Sequence, residues 1–212
     1  MNQSKFTETL NNIWKQYKAG IIVAVSIATI IFLAGTVARN MGGQTLLAGL
    51  TVNVELSEEG RAYLTDGFRQ TVSQDIPGDA HLAETEIERF SEVNYDSNLY
   101  ILRSIKSLRT QQELDYLIMD QVAMETLGAE KLFLDLRNIF TEDELAQIQD
   151  IVVYGRYDAD ADAIPLFLDV TNLPFFSHNC QTEGKIYLSV IDITLRPDAF
   201  RSLWAHLNSW TA

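Results

Sequence analysis

The chain has 212 residues, 47% of them hydrophobic, and a formal net charge of -13. With 4 Pro and 11 Gly it is neither collagenous nor low-complexity, and its one cysteine, Cys180, excludes a disulfide scaffold and a zinc ribbon. The acid excess, with no cluster of Lys and Arg, excludes a nucleic-acid partner held by its phosphates.

Ala19 to Val37 reads AGIIVAVSIATIIFLAGTV, an uncharged run. As a helix rising about 1.5 Å per residue it matches the hydrocarbon core of a bilayer, about 30 Å. The run predicts a transmembrane helix over 19–38, between a cytoplasmic tail (1–18) and a linker (39–45). Cleavage as a signal peptide near the small residues Thr36 to Ala38 is the alternative, and no cysteine follows for a lipid anchor. Lys5, Lys15 and Lys18 precede the run and only Arg39 closely follows, so the positive-inside rule places the N-terminus in the cytoplasm. Trp14 and Tyr17 suit the headgroup region. The expected localisation is the cell membrane, single-pass, with an extracytoplasmic domain over 46–212 that is more acidic than the whole chain.

After the linker, Leu50, Val52, Val54 and Leu56 alternate with polar residues, the period of a half-buried strand. Ser57 is placed to cap a helix carrying Leu64, Phe68 and Val72. Asp75 to Asp79, with Pro77 and Gly78, reads as a turn, followed by a strand around Thr85 to Phe90. Asp96 is expected to cap a helix with the stripe Leu99, Leu102, Ile105 and Leu108. Leu114 to Asp120 reads as a strand buried on both faces, and Asp120 as the cap of a helix that stops near Gly128. Thr141 and Glu144 form a capping box. Ile151 to Gly155, Ile164 to Thr171 and Ile186 to Leu195 are strand-like, the first two as a hairpin. Pro197 opens a last helix with Phe200, Leu203, Trp204 and Leu207 on one face. The alternation predicts an α/β domain of three layers around a mixed sheet.

The stretch Gln112 to Phe140, QELDYLIMDQVAMETLGAEKLFLDLRNIF, resembles a segment of solute-binding proteins of the type 2 periplasmic-binding fold. There an apolar strand ending in a polar residue leads into a short helix, a small-residue turn and an apolar-Leu-Asp-Leu stretch. Ala163 to Thr171, AIPLFLDVT, resembles the strand that follows. The external part also resembles single-span membrane proteins of Gram-positive bacteria that sit beside transporter components. The resemblance implies a lobe of that fold, a small solute as ligand, and transporter subunits as partners besides the lipid around Ala19 to Val37. It puts a ligand site at strand ends near Asp120, Asp169, Thr171 and Asn172, although Asp120 also serves as a helix cap and Asp169 and Asn172 as turn residues. The external part is short for two complete lobes, so a reduced version is expected.

Asp158, Asp160, Asp162 and Asp169 fall at positions 1, 3, 5 and 12 of a calcium loop. Position 6, which needs Gly, is Ala163, and Pro165 follows, so a solvated hairpin tip is the first reading and Asp158, Asp160 and Asp162 as metal ligands the alternative. His81, His178 and His206 are too scattered for a metal site, and His206 is expected on the polar side of the last helix. Cys180 has His178 nearby but no orienting third group. With no phosphate loop, nucleophile elbow or dinucleotide fingerprint, the expectation is a non-enzymatic protein without a cofactor, either a binding or accessory component of a transporter or a scaffold or sensor subunit that holds a partner.

Overall fold

A computed structural model describes residues 45–72, 79–84, 95–158, 160–182 and 184–211. The apolar run Ala19 to Val37, most of the turn Asp75 to Asp79 and the strand expected at Thr85 to Phe90 lie outside these residues. Among the described residues no helix is long and apolar enough to cross a membrane.

Residues Thr45–Ala212 form one compact unit. Its six strands are β1 (Thr45–Val52), β2 (Asp79–Glu84), β3 (Tyr116–Asp120), β4 (Val152–Gly155), β5 (Ile164–Asp169) and β6 (Ile186–Val190). They form a single sheet in the order β2-β1-β3-β6-β5-β4. β2, β1 and β3 run parallel, whereas β6 is antiparallel to both β3 and β5, and β4 to β5. The mixed sheet and the hairpin between Ile151 and Thr171 are as the sequence predicts.

Apolar side chains of the sheet divide between two cores, because successive residues of a strand point to opposite faces. On one face Tyr116, Ile118, Leu168 and Leu188 meet Leu64 and Phe68, Phe175 and Phe176, and Phe200, Leu203 and Leu207. On the other, Leu117, Met119, Leu166 and Tyr187 meet Ile101 and Ile105, and Ala123 and Leu127. Helices therefore cover both faces, the three-layer arrangement expected of strands that read as continuous apolar runs. β1 departs from its expectation: it begins at Thr45, ends at Val52, and is buried on both faces rather than one. The alternation in Leu50 to Leu56 continues past the strand's end, where Val54 and Leu56 are still buried.

The first helical stretch comprises α1 (Glu58–Ala62), a π-helical turn (Tyr63–Gly67) and α2 (Phe68–Val72). Ser57 caps it, its hydroxyl accepting from the Gly60 N–H at 3.0 Å. In α3 (Tyr95–Gln111), Asp96 lies within the first turn instead of ahead of it. The buried positions of α3 are Ile101 and Ile105, with Leu102 and Leu108 packed partly against them. The stripe is thus rotated from the expected one, with Ile101 in place of Leu99. α3 ends where Gln112 turns left-handed, φ 60°, and the Glu113 N–H reaches back to the Leu108 carbonyl at 3.0 Å.

The helix α4 (Gln121–Gly128) follows β3 directly. A 3-10 turn (Leu136–Asn138) and α5 (Glu142–Gln147) precede the hairpin; Thr141 and Glu144 form the capping box of α5 as expected. α6 (Pro174–Asn179) and α7 (Pro197–Asn208) each start with proline, whose missing N–H costs nothing at a first helical position.

His206 corrects a second expectation. It is only 6% exposed, stacked on Tyr63 with ring centroids 4.0 Å apart, and faces the first helical stretch. Its two hydrogen-bonding nitrogens made it look solvent-facing, but α2 and the π-turn supply polar partners for both.

Candidate functional site

Two successive crossovers run in opposite directions along the sheet. The chain passes from β1 through α1 and α2 to β2 on one side, then through α3 to β3 on the other side of β1. Right-handed crossovers travelling in opposite directions place their helices on opposite faces, as the two cores record. The connection from the carboxyl end of β1 leads to β2 and that from β3 leads through α4 toward the other side of the sheet, so the two part at the seam between β1 and β3, the position where open α/β sheets receive ligands.

Two polar side chains occupy this seam. Asn53 follows β1 in the left-handed region, φ 61°, a conformation that Asn accepts more readily than most residues. Its amide donates to Asp120 Oδ2 at 3.0 Å. The other oxygen of Asp120 accepts from the Ala123 N–H at 2.8 Å and so caps α4. Asp120→Ala removes both bonds and is expected to cost about 1–2 kcal/mol, read as a fall in the midpoint of urea denaturation. An unchanged midpoint would mean that neither bond holds the edge.

Asp169 lies at the same end of the sheet. It stands opposite Tyr187 on one side of β6, as Asp120 stands opposite Ile186 on the other. The two backbones are therefore separated by one strand, roughly 10 Å. Asp169 Oδ1 accepts from the Thr171 hydroxyl at 2.5 Å, and Oδ2 from Lys185 Nζ at 2.9 Å. Burial works against ionisation here, but the Thr171 hydroxyl and the Lys185 ammonium outweigh it and hold the carboxyl below its ordinary pKa. What Asp169 adds to stability is present above the ordinary carboxylate pKa and is lost as pH falls through the lowered value. Thr171 Oγ1 also accepts from the Ile186 N–H at 2.9 Å, which closes the start of β6 onto the end of β5. Asn172 is exposed in the turn that follows.

Of the four residues singled out from the sequence, Asp120, Asp169 and Thr171 are thus gathered at one edge, each engaged in capping or turn bonds. Asn53 and Lys185 belong with them. Lys185 carries no sequence signal of its own, since a cation before a strand is unremarkable without the fold. Asn53 was hidden by the alternation that extends the expected strand past Val52.

Nearby, residues 55–57 and 179–181 are stitched together. The Ser57 N–H donates to the Asn179 carbonyl at 2.8 Å, the Gln181 N–H to the Glu55 carbonyl at 3.2 Å, and the Ser57 hydroxyl to Asn179 Oδ1 at 2.8 Å. Cys180 falls in this seam, where burial pushes its thiol up to about 12, opposite to the activation that a nucleophile needs. His178 instead packs its ring on Trp210, 5.2 Å between centroids.

The first and last carboxylates of the calcium pattern are each paired with a lysine. Asp158 pairs with Lys131 at 2.8 Å, and Asp169 is engaged at the sheet edge with Lys185. Among the described residues no three His, Cys, Asp or Glu side chains converge as metal ligands. Tyr157, its hydroxyl bonded to the Phe133 carbonyl, ties the start of this loop to the second core, and burial raises its phenol to about 12.

No protein-family model, curated protein or solved structure matches the chain.

Proposed function

We propose that the chain is a membrane-anchored, extracytoplasmic component that acts without catalysis beside a transport system, binding a small polar solute at the carboxyl edge of its sheet. The carrying observation is the Asn53–Asp120 pair at the seam between β1 and β3, a polar couple at the position where α/β sheets take ligands. The uncharged run Ala19 to Val37, with cations on its N-terminal side, supports the anchor and its orientation. A single mixed sheet covered by helices on both faces agrees with one reduced lobe of the periplasmic-binding type.

Thermal denaturation of the full chain in detergent, against panels of amino acids, sugars and short peptides, tests this reading. A solute at a hundredfold excess over its Kd adds about 2.7 kcal/mol of stability. One panel is expected to raise the Tm, and Asn53→Ala to abolish the rise. No rise with any panel sinks the solute reading. For the anchor, a reporter fused after Ala212 that worked only in the cytoplasm would reverse the orientation.

A second reading, a scaffold or sensor subunit that holds a partner membrane protein and no solute, is favoured by the internal use of the edge carboxylates. Both oxygens of Asp120 and of Asp169 already accept bonds from within the chain. Affinity capture from solubilised membrane should then recover a stoichiometric partner, and recovery of none counts against it.

A further inference from the structure

We propose that His206 is a proton-operated latch: a second proton on its buried imidazole loosens the last turn of α7 from the π-helical turn on which it docks. The contact is reciprocal. His206 Nε2 lies 3.1 Å from the Tyr63 carbonyl, and the Tyr63 hydroxyl donates to the His206 carbonyl at 2.8 Å. A carbonyl only accepts, so Nε2 carries the hydrogen and Nδ1 holds the lone pair of the neutral ring.

Nδ1 lies 3.2 Å from the Thr71 hydroxyl oxygen, which is itself 3.0 Å from the Gly67 carbonyl. Thr71 has one hydroxyl hydrogen and two acceptors to choose between. With the ring neutral it donates to Nδ1. When Nδ1 takes a proton from solvent, the hydroxyl rotates to Gly67 and accepts from Nδ1–H instead. The added proton therefore finds a hydrogen bond, but among the described residues the charge it brings finds no counterion at the ring.

The groups packed on the ring are neutral: the stacked Tyr63 ring, the Phe68 ring at 5.7 Å, and Thr71. On the same helical stretch, Asp66 and Arg69 approach each other at 4.0 Å on the exposed side. From α6 the titratable group nearby is His178, which packs on Trp210. The carbonyl end of α7 favours an imidazolium, yet burial outweighs the Tyr63 carbonyl and holds the His206 pKa below its ordinary value. An unfolded chain, with a histidine pKa of about 6.5, then takes up the proton first. Stability is full above about pH 6.5 and falls as pH drops below it. Opening should begin in the last turn, where the His206 carbonyl also holds the Ser209 hydroxyl at 2.8 Å, and carry Trp210 away from Phe175.

The test uses the full chain in detergent, with histidine labelled for NMR and urea denaturation followed at pH 7.5 and pH 5. In the wild type the His206 resonance should titrate below the ordinary histidine value of about 6.5, and the urea midpoint should fall with acid. His206→Gln, which keeps a donor toward the Tyr63 carbonyl, should flatten that fall, while His178→Gln should not. An unaltered fall in His206→Gln, or a His206 resonance titrating at or above about 6.5, overturns the latch. Should the glutamine variant not fold, Thr71→Val decides: it removes the acceptor for Nδ1–H, so the fall with acid should steepen, and an unchanged response overturns the proposal.

Discussion

Arg196→Ala is expected to remove about 3–5 kcal/mol of folding stability, much of what a domain of this size holds. The reason lies at the amino end of β3, where Asp115 is 1% exposed and wholly committed. Its carboxylate takes Arg196 Nη1 at 2.9 and 2.7 Å, the Ala48 N–H at 2.8 Å and the Thr194 hydroxyl at 2.7 Å. Its own backbone N–H and carbonyl bond to Ala48 and Ile191. Removing the guanidinium leaves a carboxylate buried in the sheet without its countercharge. Truncating both partners should cost less than the sum of the single losses, because they share one interaction. A loss under about 1 kcal/mol for Arg196→Ala in urea denaturation would mean that the Ala48 and Thr194 bonds alone compensate the charge.

The second large effect is expected at Gly49, in the middle of β1. A Cβ there would lie 2.1 Å from Tyr116 Cζ and 2.5 Å from its hydroxyl oxygen, because the two residues face each other in the parallel register and the ring lies across the glycine. The ring has no room to yield, being 2% exposed and in contact with Phe200 at 6.3 Å between centroids. Burial, and then the neighbouring Asp115 carboxylate, push its phenol well above the ordinary value, so it stays neutral throughout. Gly49→Ala should cost about 1–3 kcal/mol by overpacking, and pairing it with Tyr116→Leu should recover part of that loss. If the double variant shows the full sum of the single losses, the clash is not with the ring.

These two positions mark what the sequence conceals. Element types were readable where a local signal carries its own physics: Ser57 and Asp120 as caps, the Thr141 and Glu144 box, the proline that starts α7, and LDYLIMD as a doubly buried strand. Pairings across the sheet were not readable. Asp115 looked like one of the acids bounding that strand, and nothing local joins it to Arg196 or Ala48. Gly49 lies ahead of the strand expected from Leu50, and nothing local places Tyr116 across it. At the candidate site Asp120, Asp169 and Thr171 could be guessed as strand ends, but the bond from Asn53 depends on the parallel pairing of β1 with β3. His206 departs from expectation because a polar residue in an amphipathic helix defaults to solvent, and a widened turn in another helix with a carbonyl to spare leaves no local trace.

The excursion from Asp169 to Ile186 has one more consequence. It leaves and rejoins the sheet at hydrogen-bonded neighbours, with Lys185 bound to Asp169 and the Val170 N–H to the Ile186 carbonyl at 2.9 Å. Phe175 and Phe176 pin its first half into the core. Its return, by contrast, passes through exposed Gln181 and through Gly184, whose φ is 109° and beside which a side chain would meet nothing. A loop already closed at its base pays only about 0.6 kcal/mol for each doubling in length. The return segment is therefore the natural insertion point for a tag or fluorophore close to the carboxyl edge, since new sequence added there would leave the sheet's register and both cores untouched.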